Sequence, residues 1–152
     1  MVDVNYVRNY CDSSKKRLEA ARAGRLAEAD TELNIINGIS AGHYDSAIPS
    51  RELPSFKSNV EVFMNDFGKF ISARQEHISK KVRVPWNQEK ETLGDYLKKV
   101  VQVRGVEMVK IGQEMTTADR EFLSANLTPW TNLLERQHKL EKQLLAWLEK
   151  PK

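Results

Sequence analysis

The sequence contains only one cysteine, Cys11, among its 152 residues. A single thiol cannot form a disulfide within the chain, so a disulfide scaffold and a cysteine-based metal or redox centre are excluded. The sequence also lacks the run of about 18 apolar residues that a membrane-spanning helix needs. Its first residues show no basic segment followed by an apolar one, as a secretory signal would. We therefore expect an intracellular, cytoplasmic protein with no membrane partner.

The short motifs of common catalytic and ligand-binding sites are missing too. The sequence has no phosphate-binding loop, no GxGxxG, no GxSxG and no calcium-binding loop of the DxDxDG type. His77 and His138 lack a second histidine four residues later, which the helical zinc motif requires. The sequence therefore predicts no catalytic residues, no metal site, no cofactor and no enzymatic activity.

Two places with reactive side chains have an ordinary structural interpretation. His43, Tyr44 and Asp45 form the best-placed ionisable trio for acid–base catalysis, but Asp45 can equally form an Asx turn in a loop. Cys11 follows Val7 by one helical turn on an apolar face, so we interpret it as a small buried hydrophobic residue rather than a nucleophile. An enzyme that uses the His43 loop is the third hypothesis for function.

Positive charge is in slight excess, with a formal net charge of +3, and it is unevenly distributed. Residues 1–25 contain six Lys or Arg against three acidic residues, residues 26–54 one against five, and residues 55–84 six against three. This alternation favours helices that pair with each other over the single basic face of a nucleic-acid-binding protein. Nucleic-acid binding is the alternative function, and the basic side chains proposed for it are Lys15, Lys16, Arg22, Arg25, Lys80, Lys81 and Arg83.

The strongest apolar periodicity lies in residues 55–81, which contain four of the five phenylalanines. The apolar residues recur at steps of three and four, which places them on one face of a helix. They are Phe56, Val60, Phe63, Phe67, Phe70, Ile71 and Ile78. Burying each large side chain stabilises the fold by about 1.5–3 kcal/mol, so the other helices are expected to cover this face. The sequence thus predicts an all-α bundle of five or six helices around a central Phe-rich helix.

The residues before this helix predict a helical hairpin over residues 3–38. Asp3 or Asn5 is expected to cap its first helix, and Gly24 stands where a residue with positive φ ends a helix. The side chains expected on the inner face of its second helix are Leu26, Ala29, Leu33 and Ile36. Glycine and proline residues then predict a loop over residues 39–54.

Residues 92–115 predict a long helix with Asn87 as its N-cap. The residues expected along one side are Leu93, Leu97, Val100, Val103 or Arg104, Met108, Ile111 and Met115. β-branched residues on both sides of Gly105 leave a β-hairpin as the alternative. We favour the helix, because an isolated two-stranded ribbon is only marginally stable and no third strand candidate exists.

Two further helices are expected near the C-terminus. Thr116 or Thr117 is expected to cap a short helix, and Thr128 followed by Pro129 is expected to begin the last one. With the hairpin, the loop and helices over residues 55–149, the chain is predicted to form a single helical domain spanning residues 1–152.

The last helix carries the residues on which the functional prediction rests. Trp130, Leu140, Leu144 and Trp147 follow helical spacing, with an interruption at Gln137. If they are exposed together, they form an apolar stripe suited to a partner helix or to a second copy of the chain. We therefore predict a non-enzymatic protein-interaction module, such as an adaptor, chaperone, inhibitor or assembly factor. It would act through amphipathic helix surfaces, with a protein partner or by self-association.

Overall fold

The structure is a computed structural model that describes residues 3–25, 33–87 and 89–150. These residues form six α-helices and a single 3-10 turn, with no β-strand among them, which confirms the all-α prediction. The helices are α1 (Val4–Arg22), α2 (Asn34–Ser40), α3 (Leu53–Val82), α4 (Leu93–Arg104), α5 (Met108–Ala125) and α6 (Leu127–Glu149), and the 3-10 turn spans Asp45–Ala47.

The described residues divide into two compact units. The first unit lies within Met1–Gly68 and Leu127–Lys152, and the second is Lys69–Asn126. Helices α1, α2 and α6 therefore belong to the first unit and helices α4 and α5 to the second, while α3 supplies residues to each. The single domain over residues 1–152 stays a prediction.

In the first unit, α1 and α6 pack in antiparallel directions. Arg8, near the start of α1, donates to Glu149 at the end of α6 with an N–O distance of 2.8 Å. Arg22, at the end of α1, donates to Glu135 near the start of α6 at 3.0 Å. The start of α1 is capped as predicted, because the Asp3 carboxylate accepts from the backbone N–H groups of the first turn. Gly24 follows the helix with a φ of +77°, which is also as predicted.

The central Phe-rich helix is confirmed as α3. Its apolar face is buried at five of the seven predicted positions, and Phe70 and Ile71 are half-buried. Helix α6 covers part of this face, because the rings of Phe56 and Trp147 meet edge to face at 4.9 Å between centroids. The Phe67 and Trp130 rings are tilted by 35° with their centroids 6.2 Å apart. In the first unit, α6 is therefore one of the helices that cover the apolar face of α3.

The second helix of the predicted hairpin is described only from Asn34 onward, as α2. Ile36 is buried and Leu33 half-buried, in agreement with their predicted inward positions. Leu26 and Ala29 lie outside the described residues. Helix α2 contacts α1 through a hydrogen bond of 2.6 Å from the Asn34 side chain to the Tyr10 hydroxyl.

The long helix predicted over residues 92–115 is wrong in one respect. The chain is helical there, which decides against the β-hairpin, but Gly105 ends α4 with a φ of +65° and α5 begins at Met108. The break changes the direction in which the later side chains point. Met108, expected on the inner side, is therefore exposed. Two residues of α4 that precede the break are exposed as well: Leu93, predicted on that side, and Val103, one of two alternatives for it. One buried cluster of the second unit contains Val82, Val84, Tyr96, Val100 and Ile111.

Predicted helix starts were wrong by several residues at two places. Thr92 rather than Asn87 caps α4, because its hydroxyl accepts from the Asp95 N–H at 3.2 Å. Asn87 instead accepts from the Glu89 N–H in the preceding turn. Thr116 caps nothing, because it lies inside α5 and its hydroxyl donates to the Gly112 carbonyl one turn earlier.

The start of the last helix was placed slightly too late. Helix α6 begins at Leu127, so Thr128 and Pro129 lie in its first turn rather than at its boundary. A proline in the first turn costs no hydrogen bond, because the first N–H groups of a helix have no partner within it. The sequence therefore predicted correctly that a helix begins here, but placed its first residue slightly too late.

Candidate functional site

The four residues predicted as a partner-binding stripe lie largely in the core of the first unit. Trp130 and Leu144 are fully buried and Leu140 is 8% exposed. Trp147 is half-buried, with its ring against Phe56. The stripe was predicted on the condition that these side chains are exposed together, and three of the four are not. In the first unit these α6 side chains pack largely within the core.

A polar cluster is enclosed between α1 and α6. Ser14, Gln137 and Glu141 are all buried. Of these, Gln137 is the residue at which the helical spacing of the apolar face is interrupted. The Ser14 hydroxyl donates to the Cys11 carbonyl at 3.0 Å and lies 2.9 Å from His138 Nδ1. The donor in the second contact is set by which ring nitrogen of His138 carries the proton. The cluster therefore joins the two helices through side-chain hydrogen bonds.

Glu141 is the buried carboxyl group of this cluster. Its Oε1 accepts from Gln137 Nε2 at 3.0 Å, while its Oε2 has no hydrogen-bond partner among the described residues. Burial raises the pKa of Glu141 above its ordinary value, and the hydrogen bond from Gln137 opposes that shift. The carboxyl group thus holds its proton more tightly in the folded protein than in water.

The two other reactive groups of the cluster are shifted by the same burial. Burial, followed by the charges of Glu141 and Asp12, raises the pKa of the Cys11 thiol to about 12. Burial, followed by nearby basic side chains of which Lys142 is the largest, lowers the pKa of His138. A nucleophilic cysteine needs a lowered pKa and access to a substrate, and Cys11 has neither. The interpretation of Cys11 as a buried hydrophobic residue agrees with this environment.

The His43 loop does not assemble its ionisable side chains around a common point. Tyr44 is buried against Gly38, and burial raises the pKa of its hydroxyl. The Asp45 carboxylate forms an ion pair of 3.2 Å with Lys57 at the start of α3. His43 is exposed. These contacts hold the loop against α2 and α3, which is a structural role.

The basic residues of the alternative function are divided between the two units. The first unit contains Lys15, Lys16, Arg22 and Arg25, and the second contains Lys80, Lys81 and Arg83. Three of them face carboxylates: Arg22 pairs with Glu135, Lys80 with Glu76, and Lys81 with Glu121. Pairing of these three cations with nearby anions reduces the positive field that would attract phosphates.

The largest exposure of apolar side chains lies where α4 meets α5. Val103, Met108 and Val109 are 69%, 49% and 69% exposed, and we call them the apolar corner. Gly105 makes the turn, and Arg104 donates two hydrogen bonds to the Glu114 carboxylate across it. This bond lowers the pKa of Glu114. The corner was not predicted, because Val103 or Arg104 and Met108 were expected along one side of a continuous helix.

A groove runs between α3 and α6 in the first unit, with a volume of about 280 Å³. Helix α3 contributes Asn59, Val62 and Phe63 to this α3–α6 groove. Helix α6 contributes Arg136, Lys139, Leu140 and Gln143. Of the predicted partner-binding residues, Leu140 is the one that lines it. Sequence reasoning missed the groove because its existence depends on which two helices pack side by side.

A second depression, of about 490 Å³, lies beside Trp86 in the second unit. The indole ring of Trp86 stacks on Tyr96 with centroids 4.7 Å apart and planes 14° apart. The Tyr96 hydroxyl donates to the Val84 carbonyl, and Lys99 donates to the Pro85 carbonyl and to Glu91. These bonds tie the segment after α3 to α4. The Tyr96 hydroxyl and the Lys99 ammonium group are thus engaged in holding that segment.

Neither a metal cluster nor a membrane-spanning helix is found in the part of the chain that the structure describes. No three His, Cys, Asp or Glu side chains there are grouped so as to hold a metal ion. No described helix combines the length and the apolar character needed to cross a membrane. Comparison of the chain with protein-family models, with curated proteins and with solved structures gives no match.

Proposed function

We propose that this protein is a non-enzymatic interaction module that docks a protein partner through the apolar corner between α4 and α5. The observation that carries the proposal is the exposure of Val103, Met108 and Val109 at one turn. Single exposed apolar residues are ordinary, but here three of them lie within seven residues on the two sides of Gly105, and a concentration of exposed apolar side chains is typical of a surface that another protein covers. The corner also combines medium-sized aliphatic side chains with a methionine, whose flexible thioether adapts to different partner surfaces.

The size of the corner indicates a weak, reversible interaction. Burying each of the three side chains contributes about 1.5–3 kcal/mol, reduced by the fraction already buried. Association costs an estimated 4–15 kcal/mol in lost translational and rotational freedom and in ordering of side chains. The corner therefore supports a transient contact on its own, and a tight complex requires additional surface.

The proposal is tested with a double variant, Val103→Gln and Val109→Gln. Glutamine is a good helix former, so both helices should be retained while the corner becomes polar. The matched control is Lys98→Gln, an exposed position of α4 outside the corner. Affinity capture from the native extract with quantitative mass spectrometry should show proteins that the wild type and the control retain and the double variant loses. Light scattering after size exclusion measures self-association in the same samples.

Two results would contradict the proposal. One is that the protein is a strict monomer and that the corner variant captures the same proteins as the wild type. The other is retention of generic DNA or RNA at low salt that weakens steeply as salt rises, because that behaviour marks the nucleic-acid alternative. In that case Lys16→Glu and Lys81→Glu should reduce binding, and the corner variant should not.

A further inference from the structure

We propose that the α3–α6 groove is a second docking site, and that its occupant is an amphipathic helix of a protein partner with carboxylates beside its apolar side chains. The groove belongs to the first unit, and the apolar corner belongs to the second. The inference is therefore independent of the proposed function. It names a separate site and the chemistry of the segment that the site recognises.

The shape of the groove suits a helix better than a compact ligand. Its volume of about 280 Å³ is below the range of roughly 300–1,000 Å³ that is usual for small-molecule pockets. The α6 side of the groove extends from Arg136 to Gln143, a span of eight residues or about 10 Å along a helix axis. Two turns of a partner helix cover that length, with side chains at i, i+3 or i+4, and i+7 facing the groove.

The floor of the groove is apolar and one edge is left open. Phe63 and Leu140 line the base of the groove, but they are 1% and 8% exposed, so they offer little surface to a partner. Val62 stands at the edge and is 53% exposed. It lies off the buried stripe of α3, so the core of the first unit does not account for an apolar residue there. One or two apolar side chains of a partner would cover this edge and floor together.

The charge of the lining selects an acidic helix. Two cations, Arg136 and Lys139, line the groove, and no carboxylate lines it among the described residues. The Arg136 guanidinium lies over the Phe63 ring, 5.6 Å from its centroid, which keeps the charge beside the apolar floor. Carboxylates of a partner would meet both cations, whereas a basic helix would be repelled.

The present partners of the two cations do not block this role. Arg136 donates to Asp66 at 2.9 Å, and Lys139 pairs with Glu135 one turn away at 3.0 Å. The side chains in both pairs are more than a third exposed. Such surface pairs contribute little to stability and exchange readily, so a partner carboxylate can join or replace the existing one.

The test uses the full chain and two synthetic 14-residue helical peptides. Both carry leucine at positions 4, 8 and 11; one has glutamate and the other has lysine at the flanking positions. Amide shifts in ¹⁵N–¹H spectra locate the site, and fluorescence anisotropy of labelled peptide gives the affinity. We expect the acidic peptide to shift the amides around Val62 and Lys139 and to bind at least about tenfold tighter than the basic one. Added salt should weaken its binding.

Variants separate the groove from the rest of the surface. Lys139→Glu and Val62→Gln should each weaken the acidic peptide at least about fivefold, because one reverses a charge and the other makes the edge polar. The matched control is Lys142→Glu, the same charge reversal on α6 at an exposed position outside the groove. It should leave the affinity unchanged, and so should the corner variant Val103→Gln with Val109→Gln. Failure of the corner proposal is thereby distinguished from failure of this one.

Several outcomes overturn the inference. They are no binding of the acidic peptide at millimolar concentration, equal binding of the basic peptide, shifts located outside the groove, or equal weakening by Lys142→Glu. Concentration-dependent shifts of the same amides without peptide would assign the groove to a second copy of the chain. Shifts caused by dodecanoate at lower concentration than by the peptide would assign it to a small anionic amphiphile.

Discussion

At the scale of single residues, Gly38 has the least room of any glycine in the described structure. A Cβ atom on Gly38 would lie 2.8 Å from Cε2 of Tyr44, whose ring packs directly on the α2 backbone. The His43 N–H also donates to the Gly38 carbonyl at 3.0 Å. The loop after α2 thus folds back over this residue, and a glycine is required there by contact rather than by backbone conformation.

Gly38→Ala is expected to destabilise the protein, although alanine is the better helix former. The propensity gain is at most about 1 kcal/mol, whereas forcing a buried ring aside costs typically about 1–3 kcal/mol. Thermal unfolding should therefore show a lower Tm. The control is Gly112→Ala in α5, where a Cβ would meet nothing within 4 Å. The Tm of this control variant should be unchanged or higher. An increase in Tm for Gly38→Ala would contradict the packing described here.

The thiol of Cys11 is expected to be unreactive in the folded protein. Burial and the nearby acidic groups raise its pKa from 9.0 to about 12, which lowers the thiolate fraction at pH 8 by roughly a thousandfold. Reaction with a disulfide reagent should be slower than in the urea-unfolded chain by about that factor or more. The unfolded chain serves as the control, and equal rates in both states would show that Cys11 is accessible.

At the scale of helices, the α4–α5 turn decides which apolar residues are exposed. Gly105 adopts a left-handed conformation and its N–H donates to the Val101 carbonyl at 2.7 Å, which ends α4. A residue with a Cβ is strained in that conformation by about 1–2 kcal/mol. The apolar corner therefore depends on one backbone position.

Gly105→Ala is expected to lower the free energy of unfolding by about 1 kcal/mol, because of this strain. The second expected effect is weaker binding of any partner of the corner, since Val103 and Met108 are placed by the turn. Chemical denaturation measures the first effect, and the capture assay measures the second. The variant Gly94→Ala provides the comparison, because Gly94 lies in the first turn of α4 at ordinary φ. A Gly105 variant as stable as the wild type would argue against the left-handed cap.

The pairing of α1 with α6 makes the stability of the first unit depend on pH. Glu141 lies among Cys11, Ser14 and Arg17 of α1 and Gln137 and His138 of α6. Its pKa is raised by burial from an ordinary value of 4.5. Its stabilising contribution is therefore complete below pH 4.5 and is lost as the pH rises through the folded-state pKa. His138 acts in the opposite direction, because its lowered pKa reduces stability as the pH falls below 6.5.

Glu141→Gln is expected to stabilise the protein increasingly between pH 5 and pH 8. The amide keeps the shape and removes the charge that the buried site disfavours, so the gain at pH 8 should reach at least about 1 kcal/mol. Urea denaturation at both pH values measures it. Glu61→Gln, at an exposed position of α3, is the control and should show no such trend. A gain that does not grow with pH would show that Glu141 is ionised at little cost.

At the scale of the whole molecule, the three tryptophans occupy different environments. Trp130 is fully buried in the first unit, whereas Trp147 in that unit and Trp86 in the second are half-buried. In variants that retain one tryptophan, with phenylalanine at the other two positions, acrylamide should quench Trp130 least. Quenching of all three in urea is the control. Strong quenching of Trp130 in the folded protein would restore it as a candidate partner-binding residue.

Helices with a strong apolar period were predictable from the sequence, and helix boundaries were less so. The face of α3 repeats over seven turns, so its helical state and much of its burial follow from spacing alone. Thr92, Thr116 and Thr128 are alike in sequence as possible caps. One caps a helix, one lies inside a helix, and one lies in a first turn. A hydroxyl bonds to whichever backbone group the fold leaves free, and spacing does not show which one that is.

The candidate sites were the least predictable part. Trp130, Leu140 and Leu144 satisfy the same helical pattern whether they face a partner or the core. The α3–α6 groove and the apolar corner both arise from pairs of segments, namely two packed helices and two helices that meet at Gly105. Local periodicity describes one helix at a time, so it does not reveal a surface formed between two.

The sequence by itself determined that this chain is helical, that α3 carries its aromatic residues on one face, and that α1 begins at Asp3 or Asn5 and ends by Gly24, because these depend on interactions within a few residues. Tertiary structure alone decided that Glu141 is enclosed against α1, that the α6 tryptophans face inward or half inward, and that Val62 and Val103 stay exposed. Exposure is set by which helix packs on which face, and that choice is made by contacts between residues far apart in the chain.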